Sequence, residues 1–371
     1  MPLKSYGVLK GKAIEVRLGA GSSPHYQVRL IDDTTDYRIA INVKSQVAPS
    51  EVEYLIVEGF QHPILETVGP LPLGYTPLAP TPASGALDFI RGNLFDRTLM
   101  RPLPANVPGF DNDLNEKIDH VMQRAVSDEA AVIYAFGERW GPEKDKKDKY
   151  FGFLPGNGIH DIHMNQGNVG QFKNDDGVYQ DGGVFIHFPD QGEWIAVFLR
   201  FQSQAWHTDD TTGHALSEPT DDDLPTTDEP HGLVRIIAAL VNAVTSPEVN
   251  TVTLLNTAPH TVSLAGWALL DTQKKRLDLD GDLAAGAIRV VTVTDPFALS
   301  NKGGVITIVD EQGLKVDGVS YTKEQAKNPG WTIVFGAAYG EVGAAGFAGR
   351  VRAAREAARG AVDGAARRGR L

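Results

Sequence analysis

The chain has no cysteine. This excludes disulfides, thiolate metal ligands and a cysteine nucleophile, and leaves the redox compartment open. No apolar run approaches the ~20 residues that span a bilayer. The opening "MPLKSYGVLKGK" lacks the apolar core of an export signal. The expected location is therefore cytoplasmic, with non-classical export still open. Basic residues are in deficit, 35 Lys and Arg against 47 Asp and Glu, for a net charge of −12. Such a body does not grip nucleic acid through phosphate contacts alone. Three motifs are also missing: a G-x-S-x-G elbow, an H-E-x-x-H helix and a Walker-type glycine loop.

What is present is a chain of 371 residues with 42% hydrophobic content, enough for two domains. Its charge is uneven. Thr208 to Pro230 carries acidic residues and no Lys or Arg, which suits a linker, whereas Arg350 to Leu371 carries seven arginines against Glu356 and Asp363. The expected organisation is a domain over 1–207, an acidic linker over 208–230, a β-sandwich over 231–336 and an Ala/Arg-rich tail over 337–371.

Periodicity fills in these segments. "HYQVRLIDDTTDYRIAINV" alternates polar and apolar on either side of Asp32-Asp33-Thr34-Thr35, a hairpin pattern. "DNDLNEKIDHVMQRAVSD" places Leu114, Ile118, Val121, Met122 and Ala125 on one helical stripe, with Asp113 and Glu116 at its start. "AAVIYAFGERW", "GGVFIHFP" and "EWIAVFLRFQSQAW" read as buried strands. Beyond residue 231 short strands alternate with turn signals at near-regular spacing, the cadence of an immunoglobulin-like sandwich. The predicted fold class is a mixed, β-rich α+β domain, then an all-β immunoglobulin-like sandwich and a short helical basic tail. "DLDGD" at 278–282 reads as a sandwich turn, because an EF-hand register would put Arg276 and Ala287 at its first and last ligand positions.

The densest polar cluster is "GNGIHDIHMNQGN", residues 156–168. Its glycines argue for an extended or looped backbone rather than a helix. In that form Asp161 can orient His163, while Asn165 and His160 can hold a substrate oxygen, an acid–base constellation. His187, inside an apolar strand, and Asp181 are further candidates to converge on it. His160, His163 and His187 are the candidate ligands for a divalent metal such as zinc or manganese. Gln166, Arg91, Arg97 and His207 are candidate substrate-binding residues, the arginines as an anion site. A plain alternative is a hydrogen-bonded turn whose Asn and Asp satisfy backbone groups, with His187 a satisfied core residue and the arginines paired with Asp88 and Asp96.

Two resemblances add to this. "YRIAINVKSQ", "RGNLFD", "DNDLNEKID", "AFGERWGP", "PGNGIHDIHMNQGN", "DGGVFIHFP" and "FQSQAWHTDDTTGHA" make residues 1–215 resemble the bacterial YukJ-like family, a domain of unknown function. "VTLLNTAPHTVSLAGWALLD", "LSNKGGVITIVDEQGLKVDGVSYT" and "GWTIVF" make residues 231–336 similar to lamin-tail domains, which implies a module that attaches to a protein or surface partner. The basic tail is expected to dock on an acidic surface or to stay solvated.

The expected function is a hydrolase, phosphoesterase-like, with His163 as acid–base, Asp161 as its orienter and Asn165 with His160 at the oxyanion. The alternative is a non-catalytic binding or assembly protein whose polar loop and lamin-tail-like module recognise a partner or carbohydrate.

Overall fold

A computed structural model of the chain describes residues 3–19, 24–44, 52–103, 113–175, 177–217 and 232–336. Residues Met1–Ile333 form one compact unit. Its first part contains ten strands: β1 (Tyr6–Arg17), β2 (His25–Ile31), β3 (Asp36–Asn42), β4 (Val52–Glu58), β5 (Gly74–Pro77), β6 (Arg101–Leu103), β7 (Val132–Glu143), β8 (Gly156–His160), β9 (Gly183–Phe188) and β10 (Glu193–Phe201). Two helices accompany them, α1 (Ile64–Val68) and α2 (Leu114–Ser127).

Five of the strands close a ring. β1 pairs with β2, β2 with β3, β3 with β8 in parallel, β8 with β7, and β7 returns to β1. Closure is possible because β1 and β7 are each 12 residues long and change partner part-way. β1 gives Tyr6–Gly11 to β7 and Lys12–Arg17 to β2, with a register shift between Ala13 and Glu15 that turns the corner. A ring of order 1-2-3-5-4-1 with a helix between its third and fourth strands is the arrangement of oligonucleotide- and oligosaccharide-binding barrels. Here α2 is that helix. Its stripe of Leu114, Ile118, Val121, Met122 and Ala125 is buried, packed with Tyr26, Val28, Ile39 and Ile159 from the barrel interior. Asp113 caps it by accepting a hydrogen bond from the Glu116 amide at 3.0 Å.

From β7 the sheet continues through β9, β10, β4 and β6. Val184, Ile186, Ile195 and Val197 face the barrel core. Phe185, Ala196 and Phe198 face a second, aromatic core with Phe60, Phe89 and Trp206.

The remainder is again strand: β11 (Val234–Leu240), β12 (Thr251–Asn256), β13 (Val262–Ser263), β14 (Ala268–Leu270), β15 (Arg276–Asp278), β16 (Asp282–Leu283), β17 (Ile288–Thr292), β18 (Gly303–Val309), β19 (Lys315–Thr322) and β20 (Thr332–Val334). They form two four-stranded sheets, β17-β12-β11-β20 and β15-β14-β18-β19, and the pair β13-β16. One short helix, α3 (Lys323–Ala326), starts from a capping box at Thr322 and Gln325.

The expected α+β class is therefore corrected. Among the described residues the chain is mostly β, 41% strand against 11% helix, and its N-terminal part is a barrel extended into a sheet. The single strong helical stripe did form a helix, α2, but it serves as a barrel plug, and nearly all the other regular structure is strand. The predicted helix in the 337–371 tail lies outside the described residues.

Candidate functional site

The polar loop begins where β8 leaves the barrel. β7 and β8 run antiparallel with Glu138 opposite His160 and Trp140 opposite Gly158, so Glu138, Trp140 and His160 share the outer face of the barrel wall. Arg38 of β3 joins that face opposite Gly158. It is buried, donating from Nε to Asp148 at 2.6 Å and from Nη1 to the Gln27 Oε1 at 2.7 Å. Its guanidinium also lies over the rings of Trp140, at 4.8 Å, and Tyr150, at 5.1 Å.

At residue 161 the chain bends sharply. Asp161 has φ +56°, a left-handed conformation that Asp tolerates better than most residues. Two glycines permit the bend: a Cβ at Gly137 would strike the His160 carbonyl, and one at Gly182 would strike the Asp161 carbonyl. The bend brings the Asp161 Oδ2 to 2.9 Å from the His160 Nδ1, with the two side chains 30% and 39% exposed. One ligand atom each from Glu138, His160 and Asp161 lies within 4.8 Å of the others. Burial acts to lower the His160 pKa, but its hydrogen bond to Asp161 and that charge, with Glu138 adding, raise it above the ordinary value. Burial acts to raise Asp161, yet the His160 bond and charge, then His163 and His25, hold it below the ordinary carboxylate range.

Asp161 thus partners His160 and not, as expected, His163. The ring of His163 is buried and stacked on Phe201 at 4.8 Å. Burial lowers its pKa to about 4, so it is neutral, and its Nδ1 has no hydrogen-bond partner among the described residues.

Behind the corner stands a hub that sequence reading placed only as a possible ligand. Asp181, fully buried, accepts from the Asn165 amide at 2.7 Å and the Gln166 amide at 3.0 Å through Oδ1. Through Oδ2 it accepts from the Gln166 side chain at 2.7 Å and the Phe89 amide at 2.8 Å. Asn165 donates its side-chain amide to the carbonyls of Asp161 at 3.3 Å, His163 at 3.2 Å and Gln180 at 3.2 Å. Asn165 and Gln166 therefore hold the loop's shape from within. Burial, with the Asp88 charge beside it, pushes Asp181 up to about 7 against the amide donors that favour its charged form.

The other candidates stand elsewhere. His187 stacks on Trp194 at 4.2 Å on the aromatic side of β9. It is five residues from Gly182, about 16 Å of extended strand, so it does not join His160. Arg91 is buried behind the hub, donating to the Thr208 Oγ1 at 3.0 Å and carbonyl at 2.7 Å and pairing with Asp210. Arg97 lies over the Trp206 ring at 5.6 Å. His207 opens the turn closed by the Thr208–Ala215 bridge, its carbonyl accepting from the Leu216 amide at 3.0 Å.

Glu138 and Trp140 escaped sequence reading. In "AFGERW" they look like the polar side of a strand, and only the register of β7 on β8 sets them beside His160. His62 was also missed. Its Nδ1 accepts from the Ile64 amide at 3.1 Å, which leaves Nε2 to donate to the Gly92 carbonyl at 3.0 Å.

The barrel, its sheet extension and the buried polar loop all fall within the stretch that matches a described family. Residues 1–213 match an uncharacterized conserved protein family (DUF2278), and the chain belongs to that family. It is similar to the uncharacterized protein YukJ of Bacillus subtilis (strain 168), at 45% identity over 214 residues, 57% of this chain and 93% of that protein. Among the described residues no helix is long and apolar enough to cross a membrane.

Proposed function

We propose that the chain is a hydrolase, acting on phosphoesters or related esters, whose reacting centre is the corner formed by Glu138, His160 and Asp161. The observation that supports this is the pair of His160 Nδ1 and Asp161 Oδ2, 2.9 Å apart and partly open to solvent. A carboxylate that holds one imidazole nitrogen orients the ring and leaves the other nitrogen for a reacting group. Glu138 adds a second carboxylate, with one oxygen within 4.8 Å of the His160 and Asp161 ligand atoms. Asn165, Gln166 and Asp181 act in this reading by fixing the loop and not by touching substrate. The phosphoester preference is the weaker part of the reading, because Arg38, the cation on the same barrel face, is buried and paired with Asp148. The lamin-tail-like module over 231–336 would bring the centre to a protein or surface partner.

The test is a screen of p-nitrophenyl phosphate, bis-p-nitrophenyl phosphate and p-nitrophenyl acetate with wild type, His160→Ala and Asp161→Asn. The expected result is turnover of at least one ester, falling about 100-fold or more in His160→Ala. Turnover of none, or equal rates in all three proteins, would discard the reading.

A second reading is favoured by a separate observation. On the outer barrel face the Arg38 guanidinium lies over the rings of Trp140 and of Tyr150 from the loop between β7 and β8, and barrels of this arrangement recognise oligonucleotides and oligosaccharides through one strand face and its flanking loops. A non-catalytic module binding a carbohydrate or partner would show saturable binding that Trp140→Ala weakens, with no turnover.

A further inference from the structure

We infer that Glu138, His160 and Asp161 form a binding site for one divalent transition ion of the zinc or manganese class, open to solvent on one side. The inference deepens the hydrolase reading, on whose centre it rests, by naming what would activate water there.

Donors on one ion at about 2.0–2.2 Å stand at most about 4.4 Å apart when opposite each other. The ligand atoms of these three side chains already lie within 4.8 Å of one another. Three donors around one ion stand about 3–3.6 Å apart, so side-chain rotations of about an ångström would close the set. All three groups come from rigid positions. Glu138 and His160 are opposed across the β7–β8 ladder. Asp161 is pinned in its left-handed turn by the close passage of Gly137 and Gly182.

The donor set selects the ion. Two carboxylates and one imidazole suit zinc or manganese, whereas magnesium and calcium prefer all-oxygen surroundings. A chain without cysteine offers no thiolate site to compete. Three protein donors leave coordination positions for water, the pattern of catalytic rather than structural sites. The side chains of His160 and Asp161 are 39% and 30% exposed, so an ion and its water can enter.

A second observation lies outside the trio. His163, two residues beyond Asp161, is buried with its Nδ1 lacking any hydrogen-bond partner among the described residues, and it stands within electrostatic reach of both Asp161 and His160. A buried, unpaired imidazole nitrogen is costly. A water ordered by a cation in the corner is the partner proposed for that nitrogen. Chemically, ligation takes the place of the proton between His160 and Asp161, and the ion lowers the pKa of a bound water toward the neutral range. In this form of the hydrolase reading the proton-carrying role of the His160 ring passes to the bound water, and His160 serves as a ligand.

The experiment is isothermal titration of the chelator-stripped full chain with Zn²⁺ and with Mn²⁺, beside Glu138→Gln and Asp161→Asn. Both substitutions preserve size, and Asn tolerates the left-handed turn at 161, so both variants are expected to keep the wild-type circular dichroism spectrum. One ion per chain is expected, with affinity reduced at least about tenfold in each variant, since a lost ligand costs no less than a lost outer-shell partner. No binding of either ion at 1:1 stoichiometry, or affinity unchanged in both folded variants, would overturn the inference. The ester screen, run with and without chelator, separates the two claims. Binding without turnover keeps the site and removes the hydrolase, while turnover that survives chelation keeps the hydrolase and removes the ion from its reaction, leaving the titration to decide the site.

Discussion

The Asn93 side-chain amide donates to the Thr307 hydroxyl at 3.0 Å, joining the barrel part of the chain to a strand more than two hundred residues later. The same nitrogen reaches the Ile306 and Val319 carbonyls, each at 3.1 Å. Lys315 donates to the Ile90 carbonyl at 2.6 Å and Lys274 to the Arg91 carbonyl at 2.9 Å. Burial pulls both amines down to about 8. This contact leads inward, because the amide of Phe89 in the same 88–95 loop bonds Asp181, which holds Asn165 and Gln166.

Asn93 has φ +51°, so Asn93→Gly removes the amide while keeping the backbone. The expected cost is about 2 kcal/mol in urea unfolding, for bonds worth ~1 kcal/mol each. A Cβ at Gly318 would strike the Asn93 side chain, so Gly318→Ala is also destabilising. In the double variant that clash no longer exists, and the combined cost falls short of the sum by at least ~0.5 kcal/mol. Strictly additive costs would show that the two positions do not meet.

Asp161→Asn keeps the turn and removes the charge that raises His160. In metal-free protein the His160 ring is expected to titrate at a lower pH in the variant than in wild type, followed by NMR of the imidazole carbon-bound protons. An unchanged midpoint would mean that the 2.9 Å pair is not formed in solution.

Asp181→Asn places an amide NH2, one hydrogen more than the carboxyl protonated at pH 4 carries, where the partners of both oxygens are donors. The expected destabilisation is about 2 kcal/mol near pH 4, the cost of a buried donor left unpaired. The folded chain holds the Asp181 proton more tightly than the unfolded one, with a pKa near 7 instead of 3.8. Its contribution is thus complete below pH 4 and is lost as pH rises toward 7. The penalty of the substitution should shrink over that interval in denaturant titrations at stepped pH, and a penalty that grows would reverse the assignment.

His62 carries the opposite sign. Burial lowers its pKa from 6.5 to about 4, against the raising effect of its bond to Gly92. The folded chain resists protonating it, so its contribution is full above pH 6.5 and is lost as pH falls toward 4. His62→Phe keeps an aromatic ring beside Phe60 and removes the titration. Its unfolding free energy should vary less steeply with pH between 6.5 and 4 than that of wild type, whatever its absolute stability. Equal slopes would mean that His62 is not the group responsible.

Local pattern by itself determined several elements. The Asp32–Thr35 turn joins β2 and β3 as its alternation demands. The stripe from Leu114 to Ala125 became α2 because its spacing buries one face and Asp113 caps it. The polar density of 156–168 is legible in the sequence, and His160 and Asp161, which the structure pairs, stand there as residue types.

Tertiary structure decided the rest. Ring closure rests on β1 and β7 changing partners, and nothing in either strand's local pattern says which strand each one finds. The partner of Asp161 turned on one left-handed residue: a strand would have set it on the face of His163, while the bend turns it to His160. Glu138 entered the corner through register alone, since a strand's period of two fixes a residue's face but not its neighbour across the ladder. The sequence carried the chemistry of the corner. Its geometry came from pairing between segments more than twenty residues apart, where a shift of one residue would have turned Glu138 to the barrel interior.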